Sequence, residues 1–124
     1  MDARQHLFYG LGIIAYAVAK ADGEIQASEE RELHLLIEDW SNQYCQEYDV
    51  TEIIFSVLKK SKPGLNEGFD EGMRFIKLGS NHLTEQLKEY FIYLIQDVAH
   101  SFPPVTDVET DIINKFKKQI SELH

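Results

Sequence analysis

The sequence predicts an all-α protein, a compact bundle of short helices in one domain that spans residues 1–124. Three observations lead to this prediction. Apolar residues recur at spacings of three and four along most of the chain, which is the period of an amphipathic helix. No run of β-branched residues alternates with polar ones, as a half-buried strand would require. Breaks that contain glycine or proline separate the periodic segments.

Five segments carry a one-sided apolar stripe, and each stripe predicts a helix. The first two helices are expected over residues 3–21 and 27–43, a third follows Asp49, and the last two cover residues 83–100 and 107–122. In chain order, the stripes consist of Leu7, Leu11, Ile14 and Val18; of Leu33, Leu36, Ile37, Trp40 and Tyr44; of Ile53, Ile54, Val57 and Leu58; of Leu87, Phe91, Leu94, Ile95 and Val98; and of Ile112, Ile113, Phe116 and Ile120.

The stretch GLNEGFDEGMRFIKLGS, residues 64–80, predicts a weaker helix. Its two internal glycines, Gly68 and Gly72, each cost about 1 kcal/mol relative to alanine inside a helix. With this segment included, the sequence predicts about six or seven short helices.

Composition excludes several classes of protein. The net charge of -9, from 21 acidic and 12 basic residues, argues against binding to nucleic acid or to anionic lipid. Cys45 is the single cysteine, so we expect no intrachain disulfide and no thiolate metal cage. No signal peptide is visible and no apolar run is long enough to span a bilayer. We therefore expect a cytoplasmic protein without direct membrane insertion.

A weak internal repeat relates residues 11–36 to residues 91–116 at an offset of eighty residues. It predicts two helix–corner–helix halves, over about 3–45 and 81–122, that pack about a pseudo-twofold axis. Connecting helices would occupy about 49–79. The matched pairs are Leu11 and Phe91, Ile14 and Leu94, Val18 and Val98, Ala19 and Ala99, Ile25 and Val105, Glu29 and Glu109, Leu33 and Ile113, and Leu36 and Phe116.

The first corner, residues 19–31, shares half of a calcium-loop signature. Asp22-Gly23 followed by five residues and Glu29 fits the second half of that signature. The two earlier ligand positions are Val18 and Lys20, which supply no carboxylate. The sequence therefore argues against an EF-hand.

Helix capping explains most of the same corner. Glu29 has the spacing of the third residue of a helix that Gln26 would cap, and Glu109 has the same relation to Thr106. Capping is the preferred interpretation of both glutamates. Asp22 is explained less well, because an acidic residue near a helix C-terminus opposes the helix dipole. An Asx-type turn is the preferred explanation for Asp22, and a bound divalent cation is the alternative.

The stretch IAYAVAKADGEIQASEERELHLLIEDW resembles the signature of the TerB-like, tellurite-resistance-associated proteins, A-x-A-D-G-x-I-x-x-x-E, which is commonly present twice. The second copy keeps Ala99, Val105 and Glu109 but has Phe102 and Pro103 where the aspartate and glycine would stand. The first copy is complete, with Ala19, Ala21, Asp22, Gly23, Ile25 and Glu29.

The resemblance implies an all-α fold of about seven helices in two related halves, without an established catalytic activity. It also implies a role in chemical-stress or phage-defence systems, within complexes of partner proteins. Metal binding through acidic residues near the corners is a further implication of the family. In this chain those residues would be Asp22, Glu24, Glu29 and Glu109, with Asp107 beside them, and the ion would be Ca²⁺, Mg²⁺ or Zn²⁺.

Three functions follow, in order of preference. The first is a non-catalytic stress-response module, tellurite-resistance-like, that binds a divalent metal weakly at the first corner. The second is a protein-interaction scaffold or dimerisation domain without metal, in which the acidic surface meets a basic partner or the bundle forms a homodimer. The last is a metal-assisted hydrolase, which would need a cleft and an open coordination site. No phosphate-binding loop, nucleophile elbow or H-E-x-x-H motif supports an enzyme.

Two histidines stand in patterns that have ordinary explanations. His34 forms a helical row with Glu30 and Glu38 that could hold Zn²⁺, but a solvated acidic face is the preferred interpretation. His100 is expected to end a helix, where a cationic imidazole is favourable.

Overall fold

A computed structural model describes residues 3–19, 31–32, 34–35, 38–39, 64–101 and 107–123. All regular structure in these ranges is helical, with no strand, which confirms the all-α class. Four helices are described along their length: α1 (Ala3–Ala19), α2 (Leu65–Leu78), α3 (Glu85–Ser101) and α4 (Asp107–Ser121). A short 3₁₀ turn, Ser80–His82, joins α2 to the segment before α3. The pairs of residues described between 31 and 39 are also helical. The predicted helix after Asp49 lies outside the described residues.

Helix α1 lies at the centre of the described bundle. Thirteen consecutive residues, 7–19, are buried. The sequence predicted a one-sided stripe here, and that prediction is wrong. After His6 the helix has no charged residue, so no face of it is suited to water, and a helix that is apolar all round belongs in the interior. Helix α1 packs along α2 and also contacts α3.

The backbones of α1 and α2 approach closely at two glycines. A Cβ atom on Gly10 would overlap the carbonyl oxygen of Gly72 and lie 2.9 Å from Ile76 Cγ1. A Cβ atom on Gly72 would lie 2.7 Å from the Gly10 carbonyl oxygen and would overlap Ile14. The contact therefore requires glycine on both helices. Gly72 is a packing residue, and α2 is a regular helix of 14 residues despite its low intrinsic propensity.

The contact at the C-terminal end of α2 shows how α1 and α2 run relative to each other. Gly79 ends α2, and a Cβ atom there would overlap the carbonyl oxygen of Ala3 and lie 2.8 Å from Leu7 Cγ. The end of α2 therefore lies against the start of α1, so the two helices run antiparallel.

Helix α3 begins two residues later than expected, because Thr84 caps it. The Leu87 backbone amide donates to Thr84 Oγ1 at 3.1 Å, which satisfies one of the free amides at the helix start. The apolar stripe of α3 is otherwise confirmed, and so is that of α4, which packs against it. The buried stripe residues are Phe91, Leu94, Ile95 and Val98 in α3 and Ile112, Ile113, Phe116 and Ile120 in α4.

Aromatic rings join the helices across the core. Phe8 of α1 meets Phe91 of α3 edge to face, with ring centroids 5.7 Å apart. Phe69 of α2 meets Phe116 of α4 in the same manner at 6.5 Å. Such pairs contribute about 0.5–1.5 kcal/mol beyond the area they bury.

Across the described ranges, no helix has both the length and the apolar character that crossing a bilayer would require.

Candidate functional site

Most of the predicted metal site lies outside the described residues. Asp22, Glu24 and Glu29 all belong to the first corner, which the structure does not describe. Glu109 is the predicted ligand whose position is known.

Glu109 occupies a core position of α4. It is the third residue of the helix, and its side chain is only 1% exposed. The buried residues of α4 that follow it stand three, four, seven and eleven positions later, so all share one face. They are Ile112, Ile113, Phe116 and Ile120. A carboxylate thus continues an apolar stripe at the point where the stripe would otherwise take an aliphatic side chain.

The burial of Glu109 extends to the atoms that carry its charge. Both carboxylate oxygens are shielded from solvent. Glutamate is almost never fully buried in proteins, because moving an ionised carboxylate out of water costs several kcal/mol that nearby groups must offset. Glu109 lies in the first turn of α4, where the positive end of the helix dipole favours a carboxylate and offsets part of that cost. The third position of the helix also agrees with the predicted capping role, although Thr106 lies outside the described residues.

Glu109 cannot hold a metal ion together with other described residues alone. Within the ranges that the structure describes, no three His, Cys, Asp or Glu side chains lie close enough to form a metal site. Asp107 is exposed, two positions before Glu109. A cation at Glu109 would therefore need further ligands from residues outside the described ranges.

The two histidines that the sequence singled out lie on solvated surfaces. His34 Nε2 lies 3.7 Å from Glu38 Oε2, and both side chains are partly exposed. Glu30, the third member of the proposed row, lies outside the described residues. His100 is exposed and donates from Nδ1 to the carbonyl oxygen of Gln96, one turn earlier in α3, at 2.7 Å.

A second group of polar and aromatic side chains lies between α1 and α2. Tyr9 meets Phe75 edge to face at 4.6 Å, and His6 stacks on the same ring at 5.9 Å. The Arg74 guanidinium lies 4.8 Å from the centre of the Phe75 ring and is bonded to Glu71 at 2.6 Å. Burial raises the pKa of Tyr9 above its ordinary value of 10.0, and the negative charge of Glu71 raises it further.

We expect Tyr9 to make the folded protein sensitive to alkali. Because the folded-state pKa of Tyr9 is raised, its contribution to stability is complete below pH 10 and decreases as the pH rises through the raised value. Tyr9→Phe should reduce this decrease, which urea denaturation at pH 9, 10 and 11 would measure. Tyr93→Phe, at an exposed tyrosine of α3, is the matched control. Equal alkaline losses of stability in the wild type and in Tyr9→Phe would contradict the assignment.

The outward side of α3 carries a surface feature that the sequence analysis missed. A shallow depression of about 310 Å³, open to solvent, is lined by Gln86, Glu89, Tyr90 and Tyr93, which we call the α3 groove. Tyr93 is 65% exposed, so much of its ring is open to solvent. The signal was present in the sequence, because these four residues recur at helical spacing on the side opposite the apolar stripe.

In comparisons with known proteins, no family model, no curated protein and no solved structure matches this chain.

Proposed function

We propose that this chain is a non-catalytic, TerB-like stress-response module that binds a divalent cation weakly between its two helix corners. One observation carries the proposal: the buried carboxylate of Glu109 continues the apolar stripe of α4. Burying a carboxylate costs stability unless nearby groups or a bound cation compensate for its charge, and buried ionisable groups of this kind cluster at functional sites.

The internal repeat supplies the other ligands in this proposal. At an offset of eighty residues, Glu109 corresponds to Glu29 of the first corner, where Asp22 and Glu24 also lie. If the two halves pack about a pseudo-twofold axis, the corners meet and the carboxylates converge. The buried residues Leu11, Ile14 and Val18 match the buried residues Phe91, Leu94 and Val98 at the same offset, which supports the related halves.

The ligand chemistry favours a hard cation. Carboxylate oxygens are the preferred ligands of Ca²⁺ and Mg²⁺, whereas Zn²⁺ more often takes nitrogen or sulfur. The second corner has Phe102 and Pro103 in place of an aspartate and a glycine, so the site has fewer carboxylates than two complete corners would provide. We therefore expect a dissociation constant of about 1 mM, at the weak end of protein calcium sites.

An NMR titration tests the proposal. Addition of Ca²⁺ or Mg²⁺ up to about 10 mM should shift the backbone amide resonances of Glu109 and of the first corner. It should also raise the free energy of unfolding by about 1.4 kcal/mol, as expected for ten times the dissociation constant. A parallel titration with Zn²⁺ tests whether the site prefers cations that take oxygen ligands.

Matched variants locate the ion. Glu109→Gln and Asp22→Asn should each weaken binding by about tenfold or more, because each removes a charged ligand. Asp111→Asn removes the same charge from an exposed position of α4 and should leave binding unchanged. Resonances of Glu109 that do not move at 10 mM metal would refute the metal site and leave Glu109 as a helix cap.

A further inference from the structure

The α3 groove has the composition of a recognition surface. Gln86, Glu89, Tyr90 and Tyr93 occupy positions i, i+3, i+4 and i+7, so they form one continuous face of α3. Tyrosine supplies a large contact area with few rotatable bonds and is enriched among the residues that dominate binding energy.

The charges along α3 favour a cationic occupant. Glu89 lines the groove, and the exposed Asp97 follows Tyr93 by one helical turn. Lys88 is the single lysine or arginine of α3, and it is only 7% exposed. Its ammonium group donates to the carbonyl oxygen of Leu123 and to Glu85, so it points away from the groove. The groove therefore presents tyrosine rings and carboxylates without a neighbouring cation on its own helix.

We propose that the α3 groove docks an arginine-bearing segment of a partner protein. A guanidinium group can stack on the face of Tyr93 while it donates two parallel hydrogen bonds to the carboxylate of Glu89. Lysine lacks the planar shape that makes both contacts at once. Nucleic acid and anionic lipid do not fit, because Glu89 and Asp97 repel phosphate.

The occupant is a partner rather than a second copy of this chain. The arginines of the sequence are Arg4, Arg31 and Arg74. Arg74 is already bonded to Glu71 and lies over the ring of Phe75. The chain therefore has few arginines to offer to a copy of itself, and its net charge of -9 opposes self-association.

A peptide titration monitored by NMR tests the proposal on the full chain. The probe is a short amidated peptide of alternating glycine and arginine, compared with peptides in which lysine or glutamate replaces arginine. We expect shifts of the amide resonances of Gln86, Glu89, Tyr90 and Tyr93, with tighter binding of the arginine peptide than of the lysine peptide. Binding should weaken with added salt, because the site is exposed.

Substitutions separate specific docking from general attraction to an acidic protein. Tyr93→Ala and Glu89→Gln should each lower the affinity for the arginine peptide by about threefold to tenfold. Tyr93→Phe should keep most of that affinity because it keeps the ring. Asp70→Asn removes an exposed carboxylate from α2 and should change binding by less than twofold. These residues are exposed, so the variants are expected to fold, and their amide spectra will verify it.

Three results would overturn the proposal. The first is an equal loss of affinity in Glu89→Gln and Asp70→Asn, which would indicate nonspecific charge attraction. The second is equal binding of the arginine and glutamate peptides. The third is self-association in sedimentation experiments that disappears in Tyr93→Ala, which would assign the groove to a second copy of the chain.

Discussion

Gly10→Ala is expected to lower the free energy of unfolding by about 3 kcal/mol, at the upper end of the cost of overpacking a core. The added methyl group would overlap the carbonyl oxygen of Gly72 and lie 3.0 Å from the backbone nitrogen of Ile76. Backbone atoms cannot move aside by a change of rotamer, so the two helices must separate. That separation reduces contact along the length of α1 and α2, which are packed closely from Gly79 to Gly72.

Helix propensity alone would predict the opposite change in stability for Gly10→Ala. Alanine is about 1 kcal/mol more favourable than glycine inside a helix, so an uncrowded Gly→Ala change in a helix stabilises. Gly64→Ala is the control for crowding, because no atom lies within 4 Å of the Cβ that it adds. Gly64 is the N-cap residue before α2, where alanine is less favourable than glycine, so we expect that variant to lose about 1 kcal/mol or less.

A double variant identifies the helix contact as the cause. Gly72→Ala should also be destabilising, because its methyl group would lie 2.7 Å from the Gly10 carbonyl oxygen. Once one methyl group has separated the helices, the second adds less, so Gly10→Ala/Gly72→Ala should cost less than the sum of the single changes. Chemical denaturation measures the free energy of unfolding of the two single variants and of the double variant. Additive losses, or a single Gly10→Ala variant as stable as the wild type, would contradict the close contact.

These glycines show where sequence reasoning about the fold reached its limit. The period of three and four in α3 and α4 predicted which residues are buried, because one-sided stripes depend only on local spacing. From local sequence alone, Gly72 was predicted only to lower the helix propensity of α2. Its packing role depends on Gly10, sixty-two positions earlier in the chain, and local spacing carries no information about that pairing.

Helix α1 was mispredicted for a related reason. Leu7, Leu11, Ile14 and Val18 do form a stripe, and all four are buried. The residues between them are also apolar or small, however, and the pattern should have predicted a helix buried on every side. The useful signal was the absence of charge after His6, rather than the periodicity of the largest side chains.

Glu109 and the α3 groove could be predicted from the sequence to different degrees. Glu109 was identified because it matches Glu29 in the internal repeat, but its burial could not be read from a capping pattern that usually places glutamate in solvent. The α3 groove was missed because polar faces of amphipathic helices are usually only solvated. What distinguishes this face is the exposure of Tyr93 beside Glu89, and exposure depends on which other elements leave the surface open.

Glu109→Met is expected to raise the free energy of unfolding by about 1–3 kcal/mol in metal-free solution. Methionine continues the apolar stripe of Ile112, Ile113 and Phe116 with a side chain of similar length, and it removes the desolvation of a carboxylate. A residue whose replacement stabilises the protein is kept for another purpose, which is the trade-off expected at a functional site. Urea denaturation with a chelator present measures the change.

The same variant separates the two interpretations of Glu109. If the carboxylate is chiefly a helix cap, Glu109→Met loses a capping hydrogen bond and should be destabilised by about 0.5–2 kcal/mol. If it is a cation ligand, Glu109→Met should be more stable than the wild type and should gain no stability from Ca²⁺ or Mg²⁺. Glu109→Gln is the control, because glutamine keeps the shape of the side chain and an oxygen that accepts a hydrogen bond but removes the charge. Destabilisation of Glu109→Met together with wild-type stability of Glu109→Gln would assign the residue to capping and remove the main support for the metal site.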